Sequence, residues 1–193
     1  MKEEYLSFKN HINKRILLSE NEMRTFISAF KLKKVRKRQF IIQPDFTATY
    51  RNYVLNGALR AYVINDEGQE STIQFAIEDW WITDYNSYIY QKPATMFVMA
   101  VEESILLQID YDTEQRLKHS NPNFEIFFRI MAERSTAYMQ RRVIENITLT
   151  AKERYEKFLL KYSDFSQRFP QYAIASYLGM STEFLSRIKN NKL

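Results

Sequence analysis

The segment that decides the fold comprises residues 171–190 and reads QYAIASYLGMSTEFLSRIKN. Its first part predicts a short helix over about Gln171 to Leu178, with Ile174 and Leu178 facing inward at helical spacing. Gly179 follows, at a turn where a positive φ would strain any residue that carries a Cβ atom. The pattern therefore predicts that one short helix ends near Gly179 and a second begins just beyond it.

The second helix of this segment has a polar outer surface. Ser181 is a favourable N-cap, and Leu185 and Ile188 face inward. Two short helices around such a turn are typical of a helix-turn-helix motif, whose second helix enters the DNA major groove. A plain helical hairpin is the alternative. The predicted DNA-contacting residues on the outer surface are Ser181, Thr182, Glu183, Ser186, Arg187, Lys189 and Asn190.

The middle of the chain has the pattern of β-strands. Short runs rich in β-branched and aromatic residues alternate with turns, which is typical of an antiparallel sandwich or roll. Asn56-Gly57 predicts a type I′ hairpin turn, and Gly68 closes a second hairpin. The runs are Phe40–Ile42, Tyr53–Leu55, Leu59–Ile64, Ser71–Phe75, Met96–Val101 and Ile105–Ile109.

Helices are expected on both sides of this β region. Capping boxes at Ser19/Glu22 and Thr150/Glu153 each predict a helix start. From Pro122 a long helical pattern carries apolar side chains on two nearly opposite faces. One face is expected to pack on the β domain and the other on a second copy of the chain, with burial inside one large core as the alternative. The predicted dimer-interface residues are Phe127, Ile130, Met131 and Tyr138.

Composition excludes several classes of function. The chain of 193 residues is 45% hydrophobic and 26% charged, which is ordinary for a folded protein. No apolar run is long enough for a membrane helix, and no apolar signal segment follows Met1, so a cytoplasmic location is expected. The chain lacks cysteine, which excludes disulfides and thiolate-bound metal or iron–sulfur centres. His11 and His119 are both expected at the surface. A cupin-type enzyme is not expected, because the sequence contains no cluster of His and acidic metal ligands.

Positive charge is concentrated in the C-terminal third. Residues 129–193 contain 12 Lys and Arg against 6 Asp and Glu, whereas residues 1–128 contain 16 against 17. This asymmetry suggests an anionic partner at the C-terminal end, with a merely soluble basic surface as the alternative. The densest basic run, Lys31–Arg38, is interpreted as a solvated strand with its turn. Contact of this run with DNA or RNA polymerase is the alternative.

The order of these elements resembles the Crp/Fnr family of transcription regulators. The resemblance covers nearly the whole chain and is strongest in the C-terminal segment. The family pattern Leu-Gly-x-Ser-x-Glu-x-x-x-Arg is kept there at Leu178, Gly179, Ser181, Glu183 and Arg187. The resemblance implies a β-roll sensor domain, a dimerisation helix and a DNA-binding domain in which Glu183 and Arg187 read bases.

The family's cyclic-nucleotide segment is altered in this sequence. Glu78-Asp79-Trp80-Trp81 resembles its opening, but Ile82-Thr83-Asp84 follows where the resemblance leads us to expect Gly-Glu-Leu. Pro93-Ala94-Thr95 lies near the expected Arg-Ser/Thr position and supplies no arginine. A buried phosphate without a cationic partner is costly, so binding of cAMP is not expected. The short stretch after residue 190 also predicts a β-wing that is reduced or absent.

Aromatic residues around Asp84 suggest a second candidate site. Small-ligand pockets combine apolar walls with a few polar groups, and this cluster offers both. A filled hydrophobic core is the favoured alternative interpretation. The candidate ligand-pocket residues are Trp80, Trp81, Thr83, Asp84, Tyr85 and Thr95.

Together these patterns predict an α+β protein with an antiparallel, jelly-roll-like β-roll. We expect a roll domain with N-terminal helices over 1–118, a dimerisation helix over 119–147 and a helix-turn-helix domain over 148–193. The predicted function is regulation of transcription by a homodimer on pseudo-palindromic double-stranded DNA, with neither enzymatic activity nor membrane attachment. No cofactor or metal is expected, although a small effector is compatible with the roll. The alternative function is a roll-fold sensor or scaffold that no longer binds DNA.

Overall fold

A computed structural model describes residues 5–190. Two helices precede the strands, one short helix interrupts them, and a series of helices follows. The strands are β1 (Lys31–Val35), β2 (Phe40–Ile42), β3 (Tyr50–Asn56), β4 (Leu59–Ile64), β5 (Glu70–Ala76), β6 (Trp81–Ile82), β7 (Phe97–Ala100) and β8 (Ser104–Asp110). The helices are α1 (Leu6–Asn13), α2 (Glu20–Ser28), α3 (Tyr85–Tyr90), α4 (Tyr111–Ser120), α5 (Pro122–Thr148), α6 (Ala151–Lys161), α7 (Phe165–Arg168), α8 (Gln171–Tyr177) and α9 (Thr182–Lys189).

The strands form two four-stranded sheets, which confirms the predicted roll. The strand orders are β1-β8-β3-β6 and β2-β7-β4-β5, and every pair is antiparallel. Side chains alternate between the two faces of each strand, so one face of each sheet points into the roll. The interior is filled by apolar groups that include Val54, Leu59, Ile82, Val98 and Leu106.

The connection at Gly57 differs from the predicted hairpin. β3 and β4 belong to different sheets, so the chain turns a corner from one sheet to the other instead of folding back on itself. Gly57 has a φ of 103°, but Asn56 is not in the positive-φ region that a type I′ turn requires. Gly57 is needed because a Cβ atom there would lie 2.6 Å from the Cα atom of Ser104. The hairpin at Gly68 is confirmed, since β4 pairs with β5 and Gly68 has a φ of 77°.

A second core lies outside the roll, between the first sheet and helices α1, α2 and α5. Phe8, Phe26, Tyr53, Phe124 and Phe127 are packed together there with almost no exposed surface. The N-terminal half of α5 thus closes this core, as the pattern of one of its two apolar faces predicted. Because Phe127 is completely buried within its own chain, it offers no surface to a second copy, and its predicted role at a dimer interface is wrong.

His11 also differs from its predicted position. It lies in α1 with 5% of its surface exposed, instead of at the protein surface. The Nε1–H of Trp81 donates a hydrogen bond of 3.4 Å to the Nε2 atom of His11, and the Tyr53 ring packs against the imidazole. His119, in contrast, is exposed in the last turn of α4, as predicted. The α4 helix ends at Ser120, and the long helix begins at Pro122.

The C-terminal helices pack directly on the second sheet. Phe75 of β5 lies in one apolar cluster with Phe165, Phe169 and Tyr177. The Oγ atom of Ser176 accepts a hydrogen bond of 2.7 Å from the Thr72 backbone N–H. The roll and the C-terminal helices therefore share a hydrophobic core. No helix within residues 5–190 combines the length and apolarity needed to cross a membrane.

Ion pairs reinforce this contact. The guanidinium of Arg168, at the end of α7, binds both carboxylate oxygens of Glu78 at 2.7 and 2.9 Å. It also donates a hydrogen bond of 2.5 Å to Glu102, at the end of the roll near β8. Arg142 of α5 donates to the backbone carbonyls of Ile73 and Tyr177, so it joins α5, β5 and α8. Arg168 and Arg142 thus each link the roll to the C-terminal helices.

Candidate functional site

The helix-turn-helix segment has the predicted geometry. Helix α8 ends in a turn in which the Met180 N–H donates to the Ala175 carbonyl at 3.0 Å. Gly179 has a φ of 67°, the left-handed conformation that such a helix terminus favours. The guanidinium of Arg154 in α6 donates to the Leu178 carbonyl at 2.9 Å, so it satisfies one of the carbonyl groups left free at the end of α8.

Helix α9 is positioned by its N-cap and its apolar face. The Ser181 hydroxyl accepts a hydrogen bond of 3.1 Å from the Phe184 N–H, as an N-cap should. Leu185 and Ile188 are buried on the inner face and Ile174 of α8 is buried with them, so the two helices are held together by apolar contacts. This packing leaves the opposite face of α9 directed at solvent.

The predicted DNA-contacting residues all occur along that outer side. Ser181, Glu183, Arg187, Lys189 and Asn190 are exposed, whereas Thr182 and Ser186 are partly buried at its edges. The Arg187 guanidinium lies 5.7 Å from the centre of the Phe184 ring and forms no ion pair within residues 5–190. Hydrogen bonds from its own backbone N–H and from Ser181 lower the pKa of Glu183. The outer face thus presents an ionised carboxylate and an unpaired guanidinium one turn apart.

Part of the basic excess of the C-terminal third is used inside the protein. Arg142, Arg154 and Arg168 all form hydrogen bonds or ion pairs with other parts of the chain. No sequence motif marks these three arginines, and only the fold shows that their partners lie elsewhere in the sequence. The cations available to an external anion in this region are therefore fewer than the sequence count suggests.

A cavity of about 360 Å³ lies between the roll, α1 and α5. Its walls include four of the six predicted ligand-pocket residues, Trp80, Trp81, Thr83 and Tyr85. It lies beside α1 and α5, outside the apolar interior between the two sheets. The basic side chains on its walls, none of which was predicted, are Arg15, Arg51, Arg134 and Lys161.

Asp84 and Thr95 do not line this cavity, which corrects their prediction as pocket residues. The Asp84 carboxylate is completely buried and caps α3 by accepting a hydrogen bond of 3.0 Å from the Ser87 N–H. It also accepts from the Thr95 N–H at 2.8 Å and faces the Thr95 hydroxyl at 3.4 Å. Asp84 is thus satisfied by its own chain and fixes the loop after α3.

Comparisons with known proteins agree with this architecture. No family model matches the chain, and no curated protein matches it in sequence. Among solved structures, FixK2 from Bradyrhizobium japonicum is similar with a TM-score of 0.73 and 18% identity, over 84% of this chain and 83% of that one. The c-di-GMP responsive global regulator CLP from Xanthomonas campestris gives 0.71 and 14%, over 90% and 91%. The catabolite activator protein from Thermus thermophilus gives 0.56 and 19%, over 90% and 83%.

The chain has the Crp/Fnr fold. Its roll, long helix and C-terminal helices therefore match those of solved regulators in order and arrangement, as the sequence predicted. The predicted short or absent wing of this Crp/Fnr fold concerns residues 191–193, which lie outside the described residues.

In residues 78–95, which resemble the family's cyclic-nucleotide segment, local polar groups form hydrogen bonds with one another. The Asp84 carboxylate accepts a hydrogen bond from the N–H of Thr95, near the position where the family resemblance places an arginine. Pro93, in the same segment, has no N–H to offer to an anion. No cluster of three or more potential metal ligands occurs within residues 5–190.

Proposed function

We propose that this protein is a transcription regulator of the Crp/Fnr type that binds pseudo-palindromic DNA as a homodimer through α9. The observation that carries the proposal is the outer face of α9, where Glu183 lies exposed in the first turn and Arg187 in the last turn of a helix held by α8. Side chains in this position reach base edges when such a helix enters the major groove. Arginine can bind guanine O6 and N7 with two hydrogen bonds, and glutamate can accept one from cytosine N4.

A second copy would pack on the C-terminal half of α5. The second apolar face of α5, opposite Phe124, includes Ala137 and Ile144, which are exposed, and Ile147 is 78% exposed one turn further along. Ile130 on the same face is partly buried against the core beside α1, and Met131 and Tyr138 line the cavity. The dimer interface that we propose is therefore centred on Ala137 and Ile144, and Ile130 lies at its edge.

Selection of binding sites from random duplexes tests DNA recognition. We expect the wild type to enrich a two-fold symmetric site with half-sites about one helical turn apart. Arg187→Ala should weaken binding by about 1–3 kcal/mol per half-site and relax the preference at one base pair. Lys37→Ala, in the exposed basic turn after β1, is the matched control and should keep the preference. An asymmetric enriched site, or an unchanged preference in Arg187→Ala, would identify α9 as the wrong reading helix.

Regulation is proposed to be independent of cAMP. A cyclic phosphate near Thr95 would meet the Asp84 carboxylate, which already accepts the local N–H groups, and would find no arginine at Pro93-Ala94-Thr95. Titration calorimetry with cAMP should therefore detect no binding at micromolar concentrations. Micromolar or tighter binding would contradict this part of the proposal.

A further inference from the structure

The cavity between the roll, α1 and α5 contains a buried cation with unused hydrogen-bonding capacity. Arg51 of β3 is 4% exposed and lines the cavity. Its Nη2 group donates a hydrogen bond of 2.8 Å to the Tyr85 hydroxyl. Its Nε–H forms no hydrogen bond, although that nitrogen forms an ion pair with the Glu114 carboxylate at 3.3 Å. Glu114 is shared, because Lys118 also forms an ion pair with it at 2.5 Å. Two cations therefore share one carboxylate, so the positive charge of Arg51 is only partly neutralised within the protein.

A second arginine on the cavity walls also has an unused donor. Arg15, just after α1, has a buried Nε–H without a partner, and only its Nη1 group donates, to the His11 carbonyl. Burial and the neighbouring Arg134 lower the pKa of Arg15. Burial, followed by Arg15, Lys14 and Arg134, lowers the pKa of His11 to about 3. The surroundings of this wall are thus strongly electropositive.

Little negative charge on the cavity walls balances these cations. Asp79 is the acidic residue among them, and its carboxylate accepts a hydrogen bond of 2.5 Å from the Tyr53 hydroxyl. Arg134 and Lys161 also line the cavity and have no ion-pair partner within residues 5–190. Arg134 and Lys161 are exposed, so their lack of a partner costs little, but the excess of positive charge around the cavity favours an anionic occupant.

The remaining walls indicate the shape of that anion. Trp80, Trp81, Tyr85, Tyr138 and Tyr162 present aromatic rings to the cavity. The Arg51 guanidinium itself lies 5.0 Å from the centre of the Tyr85 ring. A volume of about 360 Å³ is at the lower end of the range for ligand pockets. Flat aromatic walls, a small volume and the excess of cationic side chains on the walls together favour a small planar molecule with one carboxylate.

We propose that this cavity binds a small aromatic carboxylate, with Arg15 and Arg51 binding the carboxylate group and Trp81 and Tyr85 contacting the ring. Binding of the ligand does not depend on the proposed function. Only the statement that this ligand is the effector of the regulator rests on it. The site lies between the roll and α5, and Lys161 at the end of α6 also lines it, so an occupant would contact all three parts of the molecule. The ligand would thereby bridge the sensor part and the DNA-binding part.

We use benzoate as the probe, and intrinsic tryptophan fluorescence reports its binding. Both tryptophans of the chain, Trp80 and Trp81, line the cavity, so intrinsic fluorescence reports on its occupation. We expect benzoate to change this fluorescence saturably and to bind at least tenfold more tightly than benzamide, which lacks the charge. It should also bind at least tenfold more tightly than cyclohexanecarboxylate, which lacks the aromatic ring. Equal binding of the three compounds, or no saturable change up to millimolar benzoate, would overturn the proposal.

Variants locate the site. Arg15→Gln should weaken benzoate binding at least tenfold, and Arg51→Gln should do the same if circular dichroism shows that it folds. Arg129→Gln is the matched control, because Arg129 is exposed on α5, pairs with Glu133 and does not line the cavity. Unchanged binding in Arg15→Gln, or equal loss in Arg129→Gln, would contradict the assignment.

The ligand and the DNA are tested separately. The benzoate titration is made without DNA, and the DNA titration is made with and without saturating benzoate. Benzoate binding without any sequence preference on DNA would support the ligand site and overturn the proposed function. Site-specific DNA binding by a protein that ignores benzoate would do the reverse.

Discussion

At the scale of single residues, the buried imidazole of His11 shows how position decides chemistry. Its Nε2 atom accepts a hydrogen bond from Trp81, which requires the neutral ring. Burial and three neighbouring cations hold its pKa at about 3, well below the value of 6.5 expected in an unfolded chain. A periodic pattern places His11 on a helix but cannot reveal that Tyr53 and Trp81 cover it from a distant part of the sequence.

This pKa predicts a loss of stability in mild acid. The unfolded chain binds a proton at His11 below about pH 6.5, whereas the folded chain does so only near pH 3, so stability is fully present above pH 6.5 and falls as the pH decreases. Between pH 7 and pH 5 the free energy of unfolding should fall by about 2 kcal/mol from this group. Urea unfolding at several pH values measures it.

The matched variant for this test is His11→Gln. Glutamine keeps an acceptor for the Trp81 N–H but does not titrate, so the pH dependence of its unfolding should be flatter than that of the wild type over the same range. Parallel curves for the two proteins would show that other groups cause the effect.

At the scale of elements, local signals predicted most of the helices and strands. The capping boxes at Ser19 and Thr150 form as expected, and the apolar runs all became strands. The two-residue strand β6 was missed because so short a segment has no period of its own. Asn56-Gly57 was misread because a turn signal is local, while the sheet that a strand joins depends on distant partners such as β8.

The corner at Gly57 and the hairpin at Gly68 form a matched pair for mutation. Gly57→Ala places a methyl group 2.6 Å from the Cα atom of Ser104 and also strains a residue at positive φ, so we expect a loss of about 2–5 kcal/mol. Gly68→Ala meets no atom within 4 Å and should lose only about 1 kcal/mol through its φ of 77°. Equal losses in urea unfolding would show that contact with Ser104 has no role.

At the scale of the whole molecule, the salt bridge between Arg168 and Glu78 joins the roll to the C-terminal helices. Although burial opposes it, the hydrogen bonds from Arg168 and from backbone N–H groups lower the pKa of Glu78 overall. Both side chains are partly solvated, so the pair is worth less than a buried one. We expect a double-mutant cycle of Arg168→Gln and Glu78→Gln to give a coupling energy of about 1 kcal/mol in urea unfolding. A coupling near zero would mean that this salt bridge adds nothing measurable, and that the contact depends on the apolar cluster around Phe75 and on Arg142.

The second whole-molecule prediction concerns assembly. Ile144 is 52% exposed in the single chain, so Ile144→Glu should leave the protomer folded while placing an unpaired charge at the proposed dimer interface. We expect it to weaken the dimer by about 3 kcal/mol, more than 100-fold. Leu160→Glu, at a position that is 89% exposed on α6, is the control and should remain dimeric. Light scattering that shows a monomeric wild type at micromolar concentration would contradict the interface.

The outer face of α9 was predictable because it depends on spacing within 20 residues. The cavity was only half predicted, since Trp80, Trp81 and Tyr85 are close together in sequence whereas Arg15, Arg51 and Arg134 come from three distant parts of the chain. The same holds for Arg142 and Arg168, whose partners are 69 and 90 residues away. Charge counted along a sequence shows an imbalance, and only the fold shows which charges are already neutralised.

The pairing of β1 with β8 also determines when β1 can find its partner strand during synthesis of the chain. Lys31 meets Gln108, so β1 leaves the ribosome 77 residues before its partner, an interval of roughly 4–15 s at typical rates of translation. During that interval β3 also lacks β8, which lies between the two strands in the finished sheet. Strands waiting with free N–H and C=O groups invite association with other chains, and lysines along such an edge oppose it. Lys31, Lys33 and Lys34 place three positive charges on this strand, which is the feature that opposes such association.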